Sequence, residues 1–123
     1  MMSPMADERE VLTWERFGSA TRELTQMVLD SGFEPEIVLS ITRGGLLPAG
    51  AIAYALDNKN IHIINVEFYT GVDQRLPEPV FLPPLPATTY LDGATVLIVD
   101  DVADTGETLK LVREFCDKHA VES

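Results

Sequence analysis

Cysteine is almost missing from this chain. The one thiol, Cys116, excludes an internal disulfide framework and a cysteine-based metal cluster. Histidine is nearly as scarce: His62 falls inside an apolar run and His119 near the end of the last expected helix, so neither has partners for a metal site or a catalytic triad. Basic residues are few, 9 Lys and Arg against 20 Asp and Glu, and the net charge of −11 opposes binding to nucleic acid or to an anionic membrane. No apolar run is long enough to span a bilayer, and the opening MMSPMADERE is polar and acidic, without the apolar core of a signal peptide. A cytoplasmic protein is therefore expected. There is no internal repeat, and 123 residues suffice for one domain with a modest core.

What is present is concentrated in residues 96–109, VLIVDDVADTGETL. Val96, Leu97, Ile98 and Val99 form an unbroken aliphatic run, as in a strand covered on both faces of a parallel sheet. Ligands of such sheets bind beyond the carboxyl ends of the strands, where Asp100 and Asp101 emerge. Adjacent carboxylates repel, and they become favourable together when a cation or hydroxyl donors arrive: hydrated Mg²⁺, ribose hydroxyls, or both. Asp104, Thr105, Gly106, Glu107 and Thr108 then offer successive backbone N–H groups, two hydroxyls and a glycine at the start of a helix, where a phosphate fits without a lysine. An Asx turn with an Asp or Thr N-cap would explain one acidic residue and one hydroxyl, but not all of them in register.

At these residues the chain resembles the type I phosphoribosyltransferases. Their signature for phosphoribosyl pyrophosphate (PRPP) is a run of apolar residues, an acidic pair, two variable residues, a further position held here by Asp104, and a T-G-x-T loop, and residues 96–108 match all of it. The resemblance implies that Asp100 and Asp101 contact the ribose hydroxyls and, through water, Mg²⁺. It implies that Asp104, Thr105, Gly106, Glu107 and Thr108 hold the 5′-phosphate, Glu107 through its backbone N–H because its carboxylate must point away. Asp104 narrows the class, since members acting on orotate or adenine usually carry threonine or alanine there and those acting on 6-oxopurines carry aspartate. A carboxylate at that point can accept or orient the proton that the purine nitrogen loses as it joins the ribose, which makes Asp104 the expected catalytic residue. Its competing role is as N-cap of the following helix.

A second constellation lies upstream, where residues 37–41 read as another buried strand and run into Thr42, Arg43, Gly44 and Gly45. Glycines let a backbone approach an anion, and arginine offers a planar fork of donors. Alone, T-R-G-G also fits a plain strand-to-helix turn. The resemblance implies that Arg43 and Gly44 hold pyrophosphate, across a cis Thr42–Arg43 peptide, and that Tyr69 and Thr70 touch it as well.

The expected order is helix, strand, helix, strand, long loop, strand, helix. Phe17, Ala20, Leu24, Met27 and Val28 fall on one face of a helix that Thr13 caps and Gly32 ends, with Trp14 packed at its start. Residues 46–56 read as a short apolar helix, residues 61–69 as a strand, and Cys116 as a core thiol beside Leu109 and Val112. Residues 70–92 hold five of the eight prolines. A connection of that length is a lid or irregular, and the resemblance implies a flexible loop that folds over PRPP to shield the reaction from water. The alternative is a proline-stiffened excursion with a short ribbon around Phe81 and Leu82.

Together these readings imply an α/β chain with the type I phosphoribosyltransferase fold, a mainly parallel twisted sheet flanked by helices, as a single domain over residues 1–123. The implied activity is Mg²⁺-dependent transfer of the phosphoribosyl group from PRPP to a purine, giving a nucleoside monophosphate and pyrophosphate in purine salvage, by a homo-oligomer (dimer or tetramer). A regulatory protein that senses PRPP or a nucleotide without turnover remains open. A haloacid-dehalogenase-like phosphotransferase needs aspartates two apart, whereas Asp100 and Asp101 are adjacent. After His119, Ala120-Val121-Glu122-Ser123 resemble the start of another strand. The further strands and hood of complete relatives, with an aromatic residue stacking on the base and a lysine reading its 6-oxo group, are expected to be missing.

Overall fold

The computed structural model describes residues 11–69, 78–82, 91–101 and 106–118. Among them, helix α1 runs Trp14–Ser31, strand β1 Ile37–Thr42, helix α2 Leu46–Ala55, strand β2 Ile61–Tyr69, strand β3 Glu78–Leu82, strand β4 Val96–Val99 and helix α3 Glu107–Asp117.

Both ends of α1 are set by the expected residues. The Thr13 hydroxyl accepts from the Arg16 N–H at 3.0 Å, and Gly32 stops the helix in the left-handed region, at φ 80°, with its N–H on the Leu29 carbonyl. The buried face is only partly the expected one, for Phe17 and Ala20 are half-buried. Thr21 and Thr25 are buried and Val28 half-buried, while Leu24 and Met27 are 47% and 65% exposed, so the packed stripe lies one residue on from 20, 24 and 27. The Thr21 hydroxyl donates to the Phe17 carbonyl at 2.9 Å, which lets a polar residue enter the contact with α2 without losing a hydrogen bond. Trp14 is 75% exposed rather than packed, and its ring meets Phe17 edge-on at 6.0 Å.

The sheet order is β3-β2-β1-β4, with β1 parallel to both β2 and β4 and β3 antiparallel to β2. Burial on both faces explains the continuously apolar strands. Ile37, Leu39, Ile41, Ile64 and Val96 pack on one side with Val112 and Cys116 of α3, and Val38 and Val99 pack on the other with Ala49, Ile52 and Ala53 of α2. Helix α2 is apolar throughout, but only Ala49, Ile52 and Ala53 are buried, while Leu47 and Tyr54 stand exposed.

The stretch expected as one loop, residues 70–92, is interrupted. Residues 78–82 form β3, an edge strand in which Phe81 stands opposite Val66, and the Phe81 ring lies 5.3 Å from Phe115 of α3. The short ribbon expected around Phe81 and Leu82 is present, since an edge strand tolerates Pro79 and Phe81 finds apolar neighbours there, while the lid expectation falls on residues outside the described ones. Leu91 is fully buried, and no helix among the described residues is long and apolar enough to cross a membrane.

Candidate functional site

Because β1 and β4 are adjacent and parallel, with Ser40 opposite Val99, the loops that follow them leave the same edge of the sheet side by side. Residues 43–45 and the pair Asp100 and Asp101 thus share one crevice at the strands' carboxyl ends, the usual ligand position in open α/β sheets.

The loop after β1 is built on its glycines. The Thr42–Arg43 peptide is cis, as the resemblance implied. Gly45 donates its N–H to the Ile41 carbonyl at 2.8 Å and is buried. A Cβ on Gly45 would lie 2.6 Å from the Ile41 carbonyl oxygen and 2.5 Å from that of Val99, so backbone alone fills the space. A Cβ on Gly44 would run into the carboxylate of Asp101. Arg43 is exposed at the crevice.

At the end of β4 the Asp101 N–H donates to Oδ1 of Asp100 at 2.8 Å. Burial pushes the Asp100 carboxyl above its ordinary value. That backbone bond opposes the shift, and the side chain and charge of Asp101 add to it. Among the described residues, no positive group offsets the charge of an ionised Asp100. A hard cation would do so, and among the described residues no third His, Cys, Asp or Glu joins the pair to make a closed protein cage. The donor set fits Mg²⁺, which takes one or two carboxylates and completes its shell with water and phosphate oxygens.

Helix α3 begins beyond the pair. Gly106 occupies the N-cap position in the left-handed conformation, φ 82°, with no side-chain cap hydrogen bond, so the N-cap role weighed for Asp104 falls on Gly106 instead. Glu107 and Thr108 open the helix, exposed and half-buried, with their N–H groups in its first turn. Asp104, Thr105, Thr70 and the side chain of Tyr69 lie outside the described residues, as do His119 and Ala120 to Ser123; the backbone of Tyr69 ends β2 opposite Glu78. His62 shares a hydrogen bond with Asn60 Oδ1 at 3.0 Å, on β2, which β1 separates from β4.

A cavity of about 720 Å³ opens between the acidic pair and α1, walled by Leu12, Trp14, Phe17, Leu47 and Pro48. Sequence reasoning did not place α1 at the site, and nothing local to Trp14 or Phe17 signals it. It also passed over Gly45, although the paired glycines were visible.

Residues 7–123 match the family described as the phosphoribosyl transferase domain. A xanthine-guanine phosphoribosyltransferase of Idiomarina loihiensis is 34% identical over 107 residues, 87% of this chain and 64% of that protein. One of Gluconobacter oxydans is 32% identical over 117 residues, 94% of this chain and 68% of the relative. The crystal structure of a purine phosphoribosyltransferase from Pyrococcus horikoshii superposes with a TM-score of 0.76 at 34% identity, covering 90% of this chain and 70% of that one. The chain thus spans 64% of the length of the Idiomarina relative.

Proposed function

This chain belongs to the phosphoribosyl transferase domain family, and on that premise we propose that it transfers the 5-phosphoribosyl group of PRPP to a purine base, forming a nucleoside monophosphate and pyrophosphate. The observation that carries this reading is the contact between the two loops of the crevice: glycine backbone at residue 44 meets the Asp101 carboxylate. Anion-approaching backbone and cation-seeking carboxylates at one place match a substrate that is both polyphosphate and polyol.

In this reading Asp100 and Asp101 accept hydrogen bonds from the ribose hydroxyls and hold Mg²⁺ through its water shell. The ion supplies charge neutralisation to the pyrophosphate leaving group. Arg43 donates its guanidinium fork to the pyrophosphate, and Gly44 leaves the loop backbone open to it, with Tyr69 and Thr70 alongside. The N–H groups of Gly106, Glu107 and Thr108, with Thr105, receive the 5′-phosphate at the start of α3. Asp104 takes or orients the proton on the purine nitrogen. The names of the curated relatives and the aspartate at 104 favour a 6-oxopurine, and the same reading takes salvage, a cytoplasmic location, a single domain and a homo-oligomer from the family resemblance alone.

Incubation with PRPP and Mg²⁺, followed by xanthine, guanine or hypoxanthine, tests this through pyrophosphate release. Release with a 6-oxopurine and none with orotate is expected. PRPP binding without release for any base would replace transfer by sensing.

A further inference from the structure

Gly44 and Gly45 exclude a side chain for different reasons. At Gly45 an added Cβ meets the backbone of Ile41 and Val99, which belong to two paired strands and cannot give way. At Gly44 it meets the Asp101 carboxylate, the end of an exposed and rotatable side chain. Adding one carbon at residue 44 therefore leaves the fold in place and turns the carboxylate elsewhere.

We propose that Gly44 is a positioning residue for Asp101: by carrying no side chain, it leaves the space in which the Asp101 carboxylate seats against the loop after β1. Asp100, which the side chain and charge of Asp101 also reach, has an anchor of its own. Its Oδ1 accepts from the Asp101 N–H, a bond made by backbone and independent of how the Asp101 side chain is turned. The acidic pair thus has one member fixed by its own strand end and one fixed by a loop 57 positions away in the chain, which β1 and β4 bring alongside. Any shift of the loop by a ligand is transmitted sterically to Asp101. Ordering of the carboxylate and seating of an anion on the loop are then coupled.

The geometry stands without a ligand, while its effect on binding rests on the reading of Asp101 as a PRPP-facing carboxylate. Two measurements keep these apart. The first is the side-chain χ1 of Asp101 from NMR three-bond couplings in the ligand-free chain. Gly44→Ala is expected to change these couplings with the fold retained, and unchanged couplings overturn the proposal. The second is a double-mutant cycle in the affinity for PRPP with Mg²⁺, measured by calorimetry on the wild type, Gly44→Ala, Asp101→Ala and the double variant. Each single substitution is expected to weaken binding about tenfold or more, as for loss of a charged hydrogen bond. The double variant is expected to lose clearly less affinity than the two single losses multiplied, because the carboxylate that Gly44 positions is already gone and only the direct approach of the loop backbone to pyrophosphate is still obstructed. Losses that multiply would show that Gly44 acts independently of Asp101 and overturn the proposal. Failure of the wild type to bind PRPP would instead overturn the proposed function, with the coupling measurement still deciding the role of Gly44.

Discussion

The backbone N–H of Asp101 donates to Oδ1 of Asp100 at 2.8 Å, so the Asp100 carboxylate is tied to the chain just beyond β4 before any ligand arrives. The repulsion between the two carboxylates is built in, and burial adds to the cost of charging Asp100.

The first prediction follows from that cost. An acid whose folded pKa is raised contributes stability that is fully present below its unfolded value, here 3.8, and is lost as pH rises through the folded value. Asp100→Asn removes the loss. The variant should melt above the wild type near neutrality, and the gap should close as pH falls toward about 4, where protonated aspartate and asparagine are alike. Melting curves across that range decide it. Affinity for PRPP with Mg²⁺ should run the other way, weakening in acid as Asp100 takes up a proton.

Gly45→Ala and Gly50→Ala should move stability in opposite directions. The first drives a Cβ into backbone oxygens of Ile41 and Val99 and should cost about 1–3 kcal/mol, as overpacking does. The second places a methyl where nothing lies within 4 Å, inside α2, and should gain about 0.5–1 kcal/mol. Urea unfolding of the pair provides the comparison.

Ser40 sits at the centre of β1, fully buried, and its hydroxyl has no partner among the described residues. Ser40→Ala should therefore leave stability unchanged or raise it by up to about 1 kcal/mol. A clear drop in the denaturation midpoint would mean that the hydroxyl is satisfied.

Cys116 is fully buried between α3 and the sheet, and burial pushes its thiol up to about 11. The native chain should react with a thiol-specific disulfide reagent only at the rate of its opening, and fully once unfolded. Holding the thiol neutral also contributes stability below its unfolded value of 9.0, which is lost as pH rises through about 11. Cys116→Ser should cost about 1–3 kcal/mol for a buried hydroxyl lacking a partner.

Much of the fold was legible because local chemistry wrote it. Thr13 and Gly32 bound α1, the aliphatic runs gave β1 and β4, and Cys116 fell in the core beside Val112 as its spacing implied. The face of α1 was partly misread because Thr21 hides its polarity in a bond to the Phe17 carbonyl, which hydropathy does not register. Strand β3 was legible only as one of two alternatives, since Pro79 reads as a loop until β2 is known to offer an edge. The two halves of the site were each visible as short motifs. Their contact was not, because only the pairing of β1 with β4 brings Gly44 to Asp101, and strand order is a property of the packed sheet. The roles expected of Asp104 and Thr105 rest on the motif itself.

Calorimetric titration of the folded chain with PRPP in the presence of Mg²⁺ bears most directly on the proposed function. Saturable binding is expected, weakened about tenfold or more by Asp101→Ala and by Arg43→Ala, in line with loss of charged contacts. A folded chain that does not bind PRPP at any Mg²⁺ concentration, or that binds it equally well without Asp101, contradicts the assignment of this crevice.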